Sequence, residues 1–117
     1  MEAKDLMIGD WVSLLGTHHY KVKEIKYVYG VYKIFFQGTY SYALEDEIVP
    51  IPLTPEILEK NGWDFDEIDG DFRGCNGKFY IYGRYYPYSI FDGVQISYVH
   101  ELQHALRLCG IEKEIVL

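Results

Sequence analysis

The segment His100-Glu101-Leu102-Gln103-His104 has the residue types and spacing of the zinc-binding motif H-E-x-x-H. Two histidines four residues apart lie on one face of a helix and can bind one Zn²⁺, while the glutamate between them can act as general base. The segment therefore predicts one of two things: a zinc hydrolase with Glu101 as its catalytic base, or a helix whose polar face carries these residues without chemistry.

A catalytic zinc site needs a third protein ligand and an open coordination position. In metzincins a third histidine follows the second by six residues with a glycine between, but here those positions hold Gly110 and Arg107. The segment after His104 is also too short for the later helix that carries a ligand glutamate in thermolysin-like enzymes. Cys75 lies in a segment with a faint resemblance to the ligand motif of peptide deformylases. We therefore expect no bound metal, and the alternative is a zinc site formed by His100, His104 and Cys75.

Tyrosine is the second residue type that stands out, with 12 in the chain and several of them in residues 79–88. In an alternating strand one face packs on the core and the other carries its side chains outward. Outward tyrosines near an arginine have the composition of a recognition surface for a protein or a sugar. The competing interpretation is a small sheet whose tyrosines fill the core with hydroxyls at the rim. The candidate binding surface comprises Tyr80, Tyr82, Arg84, Tyr85, Tyr86 and Tyr88.

The acidic stretch at residues 64–71 has aspartates at spacings like those of a calcium-binding loop. The glycine and the closing glutamate of such a loop are misplaced here. We therefore expect a solvated acidic loop at these residues.

Composition limits the classes of function. The chain has 117 residues, 49 % of them hydrophobic, which suits one folded domain with a modest core. A net charge of −7 argues against a nucleic-acid backbone or an anionic membrane as the main partner. Two cysteines are too few for a disulfide scaffold. The sequence has no signal-peptide pattern and no bilayer-spanning apolar run, so we expect a cytoplasmic protein.

Residues 1–53 predict a β-rich half. Alternation of apolar and polar residues indicates half-buried strands, and β-branched and aromatic residues favour them. The opening Ile8-Gly9-Asp10-Trp11-Val12 loosely resembles small barrels of the Src-homology-three type. We expect a small barrel or rolled sheet, with strands within residues 6–15, 20–25, 31–36, 40–44 and 48–51.

Residues 54–117 predict a helix, an antiparallel meander and a C-terminal amphipathic helix. Thr54 suits an N-cap, Pro55 suits the first helical position, and Gly62 suits the stop. The dipeptides Asn76-Gly77 and Asp92-Gly93 are strong hairpin signals. We expect a helix at residues 98–109 and a last short strand within residues 111–117. The whole chain is then a single α+β domain with a subdivision at residue 53.

The C-terminal helix should be amphipathic. Its apolar residues recur at helical spacing and predict a buried stripe of Val99, Leu102, Leu106 and Cys109, with Tyr98 and Ala105 beside it. The residues opposite this stripe, which we expect to face solvent, are His100, His104 and Arg107.

Two segments resemble recurrent sequences of small uncharacterised proteins from gut anaerobic bacteria and their prophages. They are Ile51-Pro52-Leu53-Thr54-Pro55-Glu56-Ile57-Leu58-Glu59-Lys60-Asn61-Gly62-Trp63 and Tyr98-Val99-His100-Glu101-Leu102-Gln103-His104. Such relatives often read Val-His-Gln-Leu-Gln-Asn at the second segment, which would remove the presumed base and one presumed ligand. The resemblance implies a structural helix motif, possible prophage context and no known activity.

Together these patterns favour a non-catalytic binding or assembly module whose partner is another protein or a second copy of the chain. A small zinc hydrolase is the alternative. Carbohydrate recognition by exposed tyrosines is a weaker one. Nucleic acid and membrane are not expected as partners.

Overall fold

The computed structural model describes the backbone of residues 1–117 and all side chains except that of Asp92. The chain combines helices with two antiparallel sheets, so the α+β class is confirmed. It divides into two compact units, Met1–Ile51 and Pro52–Leu117.

The first unit is a five-stranded antiparallel sheet. Its strands lie in the order β4-β3-β2-β1-β5, so β4 and β5 are its edges. The expected barrel does not close, because nothing pairs these two edge strands with each other in this sheet order. The strands are β1 (Trp11–Leu14), β2 (His18–Val28), β3 (Val31–Phe36), β4 (Tyr42–Leu44) and β5 (Ile48–Val49).

One face of this sheet forms the core of the first unit. Side chains alternate between the faces, so Ile34 and Phe36 of β3 point to the same side and are fully buried. Val12 and Val22 join them from β1 and β2. Short 3₁₀ turns at Ala3–Asp5 and Glu45–Glu47 flank the strands.

The second unit places two helices around an antiparallel meander, with strand order β10-β9-β8-β7-β6. The expected meander and both helices are confirmed. A 3₁₀ turn at Phe91–Gly93 connects the last two strands. The elements are α1 (Pro55–Lys60), β6 (Asp64–Asp66), β7 (Asp71–Gly74), β8 (Phe79–Tyr82), β9 (Tyr88–Ser89), β10 (Gln95–Ile96) and α2 (Val99–Leu108).

Helix α1 begins where the sequence predicts. The hydroxyl of Thr54 accepts a hydrogen bond from the Ile57 amide at 3.2 Å, which satisfies one of the orphan donors of the first turn. Gly62 has φ +91°, the left-handed conformation that ends the helix. Neither of the α-helices described in the structure has the length and apolarity needed to cross a bilayer.

A close approach between Trp63 and Gly74 fixes the core of the second unit. Trp63 is fully buried, and its indole N–H donates to the Phe79 carbonyl at 3.2 Å. A Cβ atom on Gly74 would lie only 2.6 Å from the Trp63 ring. Only glycine therefore fits on β7 beneath this indole.

Two local expectations are wrong. Residues 64–66 of the acidic stretch are strand β6 rather than loop, because they pair with β7. The C-terminal segment forms no strand. It is held instead by the buried Asn61 amide, which accepts from the Val116 N–H at 2.8 Å and donates to the Val116 carbonyl at 2.7 Å. These two bonds replace the sheet pairing that the apolar pattern predicted.

Candidate functional site

The carboxylate of Glu101 in the H-E-x-x-H motif accepts two backbone hydrogen bonds at the start of α2. Its Oε1 accepts from the backbone N–H groups of Ser97 at 2.8 Å and Tyr98 at 3.0 Å. Tyr98 is the N-cap residue, so Glu101 occupies the third helical position, where a glutamate reaches back to free amides. The residue expected as a catalytic base in the zinc alternative therefore serves as a helix cap.

Helix α2 buries a wider face than expected. Val99, Leu102 and Leu106 are buried as predicted, but His100 is also buried, with 7 % of its surface exposed, whereas Cys109 is exposed. The expectation of a solvent-facing His100 is therefore wrong. A second segment lies beside the start of this helix, where the Leu53 N–H donates to the Ser97 carbonyl at 2.9 Å.

The two histidines of the motif are neighbours on α2. The His100 ring stacks on the Tyr98 ring with centroids 5.9 Å apart, and its centroid lies 5.5 Å from that of His104. His104 is partly exposed. The pair therefore packs as part of an aromatic row along the helix.

Cys75 lies elsewhere in the second unit. It is in the turn between β7 and β8 with φ +55° and lines a polar cleft of about 490 Å³ with Lys78 and Lys113. Burial raises the pKa of its thiol, and the nearby Lys113 opposes that shift. Within the described part of the chain, no three His, Cys, Asp or Glu side chains are grouped to hold a metal ion. His100, His104 and Cys75 thus do not converge on one point.

Four of the predicted surface tyrosines are exposed, and one is not. The exposed fraction is 39 % for Tyr80, 45 % for Tyr82, 66 % for Tyr85 and 57 % for Tyr86. Tyr88 has no exposed surface, so its assignment to the surface is wrong. The loop at residues 83–87 interrupts the alternation between β8 and β9, so the Tyr88 side chain of β9 points toward the core.

The Tyr88 hydroxyl lies in that core. Its ring contacts Phe72 edge-on, with centroids 6.2 Å apart. The hydroxyl has no hydrogen-bond partner among the atoms that the structure describes. Burial raises the pKa of Tyr88 to about 12, and the negative charge of Glu56 adds to this shift. Tyr88 is therefore a structural residue whose neutral form the fold favours.

Tyr80 and Tyr82 lie on the outer face of the second sheet beside a network of charges. The guanidinium of Arg73 lies 5.4 Å from the centroid of the Tyr80 ring. Arg73 is held by three carboxylates of the acidic stretch, Asp66, Asp69 and Asp71. These carboxylates bind an internal arginine, which explains why the stretch is ordered next to the sheet.

Asp66 also closes the turn after β6. Its Oδ1 accepts from the N–H groups of Ile68 at 2.9 Å and Asp69 at 3.0 Å. The Asp69 N–H bond is the largest cause of a lowered pKa for this carboxyl, and the Ile68 N–H and Arg73 lower the pKa further. The acidic spacing that resembles a calcium loop is thus used for local structure.

Arg84 and Tyr85 line a separate depression, which we call the α1–β6 cleft. It has a volume of about 300 Å³ and combines aromatic rings, carboxylates and one guanidinium. Its lining residues are Pro55, Glu56, Glu59, Phe65, Glu67, Phe72, Arg84 and Tyr85.

A cation already lies over two rings in this cleft. The Arg84 guanidinium carbon is 5.2 Å from the centroid of Phe65 and 5.9 Å from that of Tyr85. Its Nη2 lies 3.9 Å from Oε1 of Glu67, and both side chains are largely exposed, so the ion pair is weak. Three glutamates line the cleft against one arginine, which leaves its surface negative.

The sequence analysis missed the acidic half of this cleft. Glu56 and Glu59 are three residues apart and share one face of α1. That spacing was a visible signal. No sequence signal places these glutamates beside Phe65, because that proximity depends on how α1 packs on β6.

Comparison of the chain with protein-family models, curated proteins and solved structures finds no match. The function must therefore be argued from the geometry of the site itself. The α1–β6 cleft and the exposed tyrosines are the surface features whose chemistry suits a ligand.

Proposed function

We propose that the chain is a non-catalytic binding module that meets a protein partner through the α1–β6 cleft. The observation that carries the proposal is the lining of the cleft, in which three glutamates outnumber the single Arg84 beside the rings of Phe65 and Tyr85. The cleft therefore has the chemistry that accepts a basic side chain. The partner is a protein with an exposed arginine or lysine.

Aromatic faces and carboxylates attract the same ligand. A cation over an aromatic ring gains about 0.5–1 kcal/mol at an exposed site and about 2 kcal/mol when desolvated. Exposed ion pairs add about 0.2–1 kcal/mol. One cation–π contact and one exposed ion pair therefore supply about 1–3 kcal/mol, which is less than the roughly 4 kcal/mol that corresponds to a Kd of about 1 mM.

A stable complex needs further contacts, and exposed tyrosines are suited to provide them. Tyrosine is enriched among the residues that dominate binding energy at protein interfaces. Tyr85 borders the cleft, and Tyr86 follows it with more than half of its surface exposed. The acidic cleft then orients the partner while the tyrosines add buried apolar area.

Peptide titration tests the proposal. We expect a short arginine-containing peptide to bind in the millimolar range by isothermal calorimetry, with affinity falling as salt increases. The double variant Glu56→Gln/Glu59→Gln should weaken binding several-fold. Glu112→Gln/Glu114→Gln is the matched control, since it removes the same two charges from exposed residues outside the cleft. Equal weakening by the control would contradict the proposal, as would tighter binding of a glutamate-containing peptide.

A small zinc hydrolase is the alternative, favoured by the 5.5 Å separation of the His100 and His104 ring centroids. Elemental analysis after expression with added zinc separates the two functions. We expect no stoichiometric zinc, because Glu101 caps the helix and no third ligand among the described side chains converges on the histidines. About one zinc per chain that is lost in His104→Ala would support the hydrolase.

Two other versions of a binding function have their own tests. Self-association would appear as a molecular mass that rises with concentration in analytical ultracentrifugation. Carbohydrate recognition by the outer-face tyrosines would appear as binding of a saccharide that is lost in Tyr82→Ala. We expect neither the saccharide binding nor its dependence on Tyr82.

A further inference from the structure

The first unit carries a second surface, on the outer face of its sheet, that lies opposite its core. Three lysines of this face each extend over an aromatic ring. The distances from Nζ to the ring centroid are 5.2 Å for Lys21 over Trp11, 5.5 Å for Lys26 over Phe35 and 4.6 Å for Lys33 over Tyr42. We call these six residues the lysine–aromatic face.

A β-bulge in β2 places Lys21 and Lys26 on one face. They are five positions apart, so strict alternation would put them on opposite faces. The register shifts between Val22 and Glu24, where one extra residue is inserted. Such an insertion reverses the alternation beyond it. Lys26 then pairs with Lys33, and both point away from the core.

The rings of this face are spread over three strands. Phe35 pairs with Tyr42 across β3 and β4, and their ring centroids are 5.6 Å apart. Trp11 lies on β1 opposite Lys21. Tyr42 is 50 % exposed, and the Trp11 and Phe35 rings are partly exposed. A ligand can therefore reach aromatic rings on both sides of β2.

The local charge of this face differs from that of the whole chain. The net charge of −7 led us to expect no nucleic-acid partner. On this face, however, three lysines lie together, and Nζ of Lys26 is 3.7 Å from Oε1 of Glu24. Both side chains of that pair are about half exposed, so the pair is weak and open to competition. The three lysines therefore form a local cluster of positive charge on an acidic chain.

We propose that the lysine–aromatic face binds single-stranded nucleic acid. Unstacked bases lie on the exposed rings, while the lysines move from the rings to contact phosphates. Non-specific binders of single strands combine these two features, positive charge along the backbone path and aromatic rings for base stacking. An acidic protein segment would use the lysines but would leave the rings without a stacking partner. The rings therefore favour nucleic acid over an acidic protein.

The salt dependence of binding provides a quantitative test. With three phosphate contacts, log K should fall with log salt at a slope of about −2, given about −0.7 for each contact to a single strand. An increase from about 50 to 200 mM salt should then weaken binding about 20-fold. Fluorescence anisotropy of a labelled deoxythymidine oligonucleotide measures this slope.

Single lysine variants test the assignment. Lys26→Gln and Lys33→Gln should each reduce the slope by about 0.7 and weaken binding at low salt. Lys4→Gln is the matched control, because Lys4 is an exposed lysine of the same unit that lies outside the sheet. An unchanged thermal melt shows that each variant is folded. No binding at low salt, or an equal loss in the control, would overturn the proposal.

Tryptophan emission distinguishes stacking from simple charge attraction. The two tryptophans are Trp11 on this face and Trp63, which is fully buried. Base stacking should quench the emission of Trp11, and the Trp11→Phe variant should lose that quenching. Polyphosphate and a polyglutamate peptide serve as anionic probes without bases. If either binds as tightly as the oligonucleotide and the oligonucleotide leaves Trp11 emission unchanged, the face recognises charge alone and the proposal is wrong.

Discussion

Replacing Glu101 with alanine separates the structural role of the H-E-x-x-H segment from a catalytic one. The change removes the carboxylate that accepts from two backbone amides, at 2.8 and 3.0 Å, at the start of α2. Hydrogen bonds to charged groups contribute about 1.5–3 kcal/mol when buried. Glu101 is only partly buried, so water compensates for part of the loss. Losing a helix cap usually costs about 0.5–2 kcal/mol, and we expect about 1–2 kcal/mol here.

Urea unfolding followed by circular dichroism measures this change in the free energy of unfolding. For a chain of this size, a loss of 1–2 kcal/mol should also lower Tm by roughly 3–10 °C. Glu112→Ala is the control, since it removes an exposed glutamate from the C-terminal segment and should change stability by about 0.5 kcal/mol or less. Glu101→Gln keeps one acceptor oxygen and should lie between wild type and Glu101→Ala.

One result would refute this reasoning. Catalytic residues are often kept at a cost in stability, so their replacement commonly stabilises a protein. If Glu101→Ala proves as stable as wild type or more stable, the cap contributes nothing, and the motif must be reconsidered as a zinc site.

Three further predictions concern stability. Leu106→Ala should lower the free energy of unfolding by about 2–5 kcal/mol, because it leaves a cavity at a fully buried site. His104→Ala should lower it by about 0.5 kcal/mol or less in the same urea titration. Equal losses would show that the His104 side of the helix is buried. Tyr88→Phe should stabilise the protein by about 1 kcal/mol at neutral pH, because it removes a buried hydroxyl without a partner. The pKa of Tyr88 is raised to about 12 in the fold, so the wild-type protein should lose stability as the pH rises from the unfolded-state pKa of about 10 toward 12. The expected loss is on the order of 2–3 kcal/mol. A Tyr88→Phe variant with the same alkaline loss would exclude this residue as its cause. Tyr29 is fully exposed with φ +51° in the two-residue turn with Gly30. Asparagine suits that position, so Tyr29→Asn should raise the free energy of unfolding by about 1 kcal/mol; a lower Tm would show that Tyr29 contributes stabilising contacts.

Features set by local chemistry could be predicted from the sequence. The Thr54 cap, the Asn76-Gly77 turn and helix α2 each depend on residues within a few positions of one another, and the structure contains all three. Alternation along β8 places Tyr80 and Tyr82 on the outer face, as the candidate binding surface requires.

Features set by contacts between distant segments could not be predicted. Tyr82 and Tyr88 have the same parity in the sequence but point to opposite faces, because the loop between them breaks the alternation. His100 is buried although it lies opposite the apolar stripe of α2, and the helical spacing of its neighbours gives no sign of this. The bulge in β2 left no clear signal, yet it gathers the lysines onto one face.

The central claim is that the α1–β6 cleft accepts a basic side chain of a protein partner. Two-dimensional ¹H–¹⁵N NMR during titration with an arginine-containing peptide tests it most directly. We expect saturable shifts concentrated at Glu59, Phe65, Glu67, Arg84 and Tyr85, and much smaller shifts in the acidic segment at residues 45–47. Shifts of similar size at both places, or none at the cleft, would contradict it.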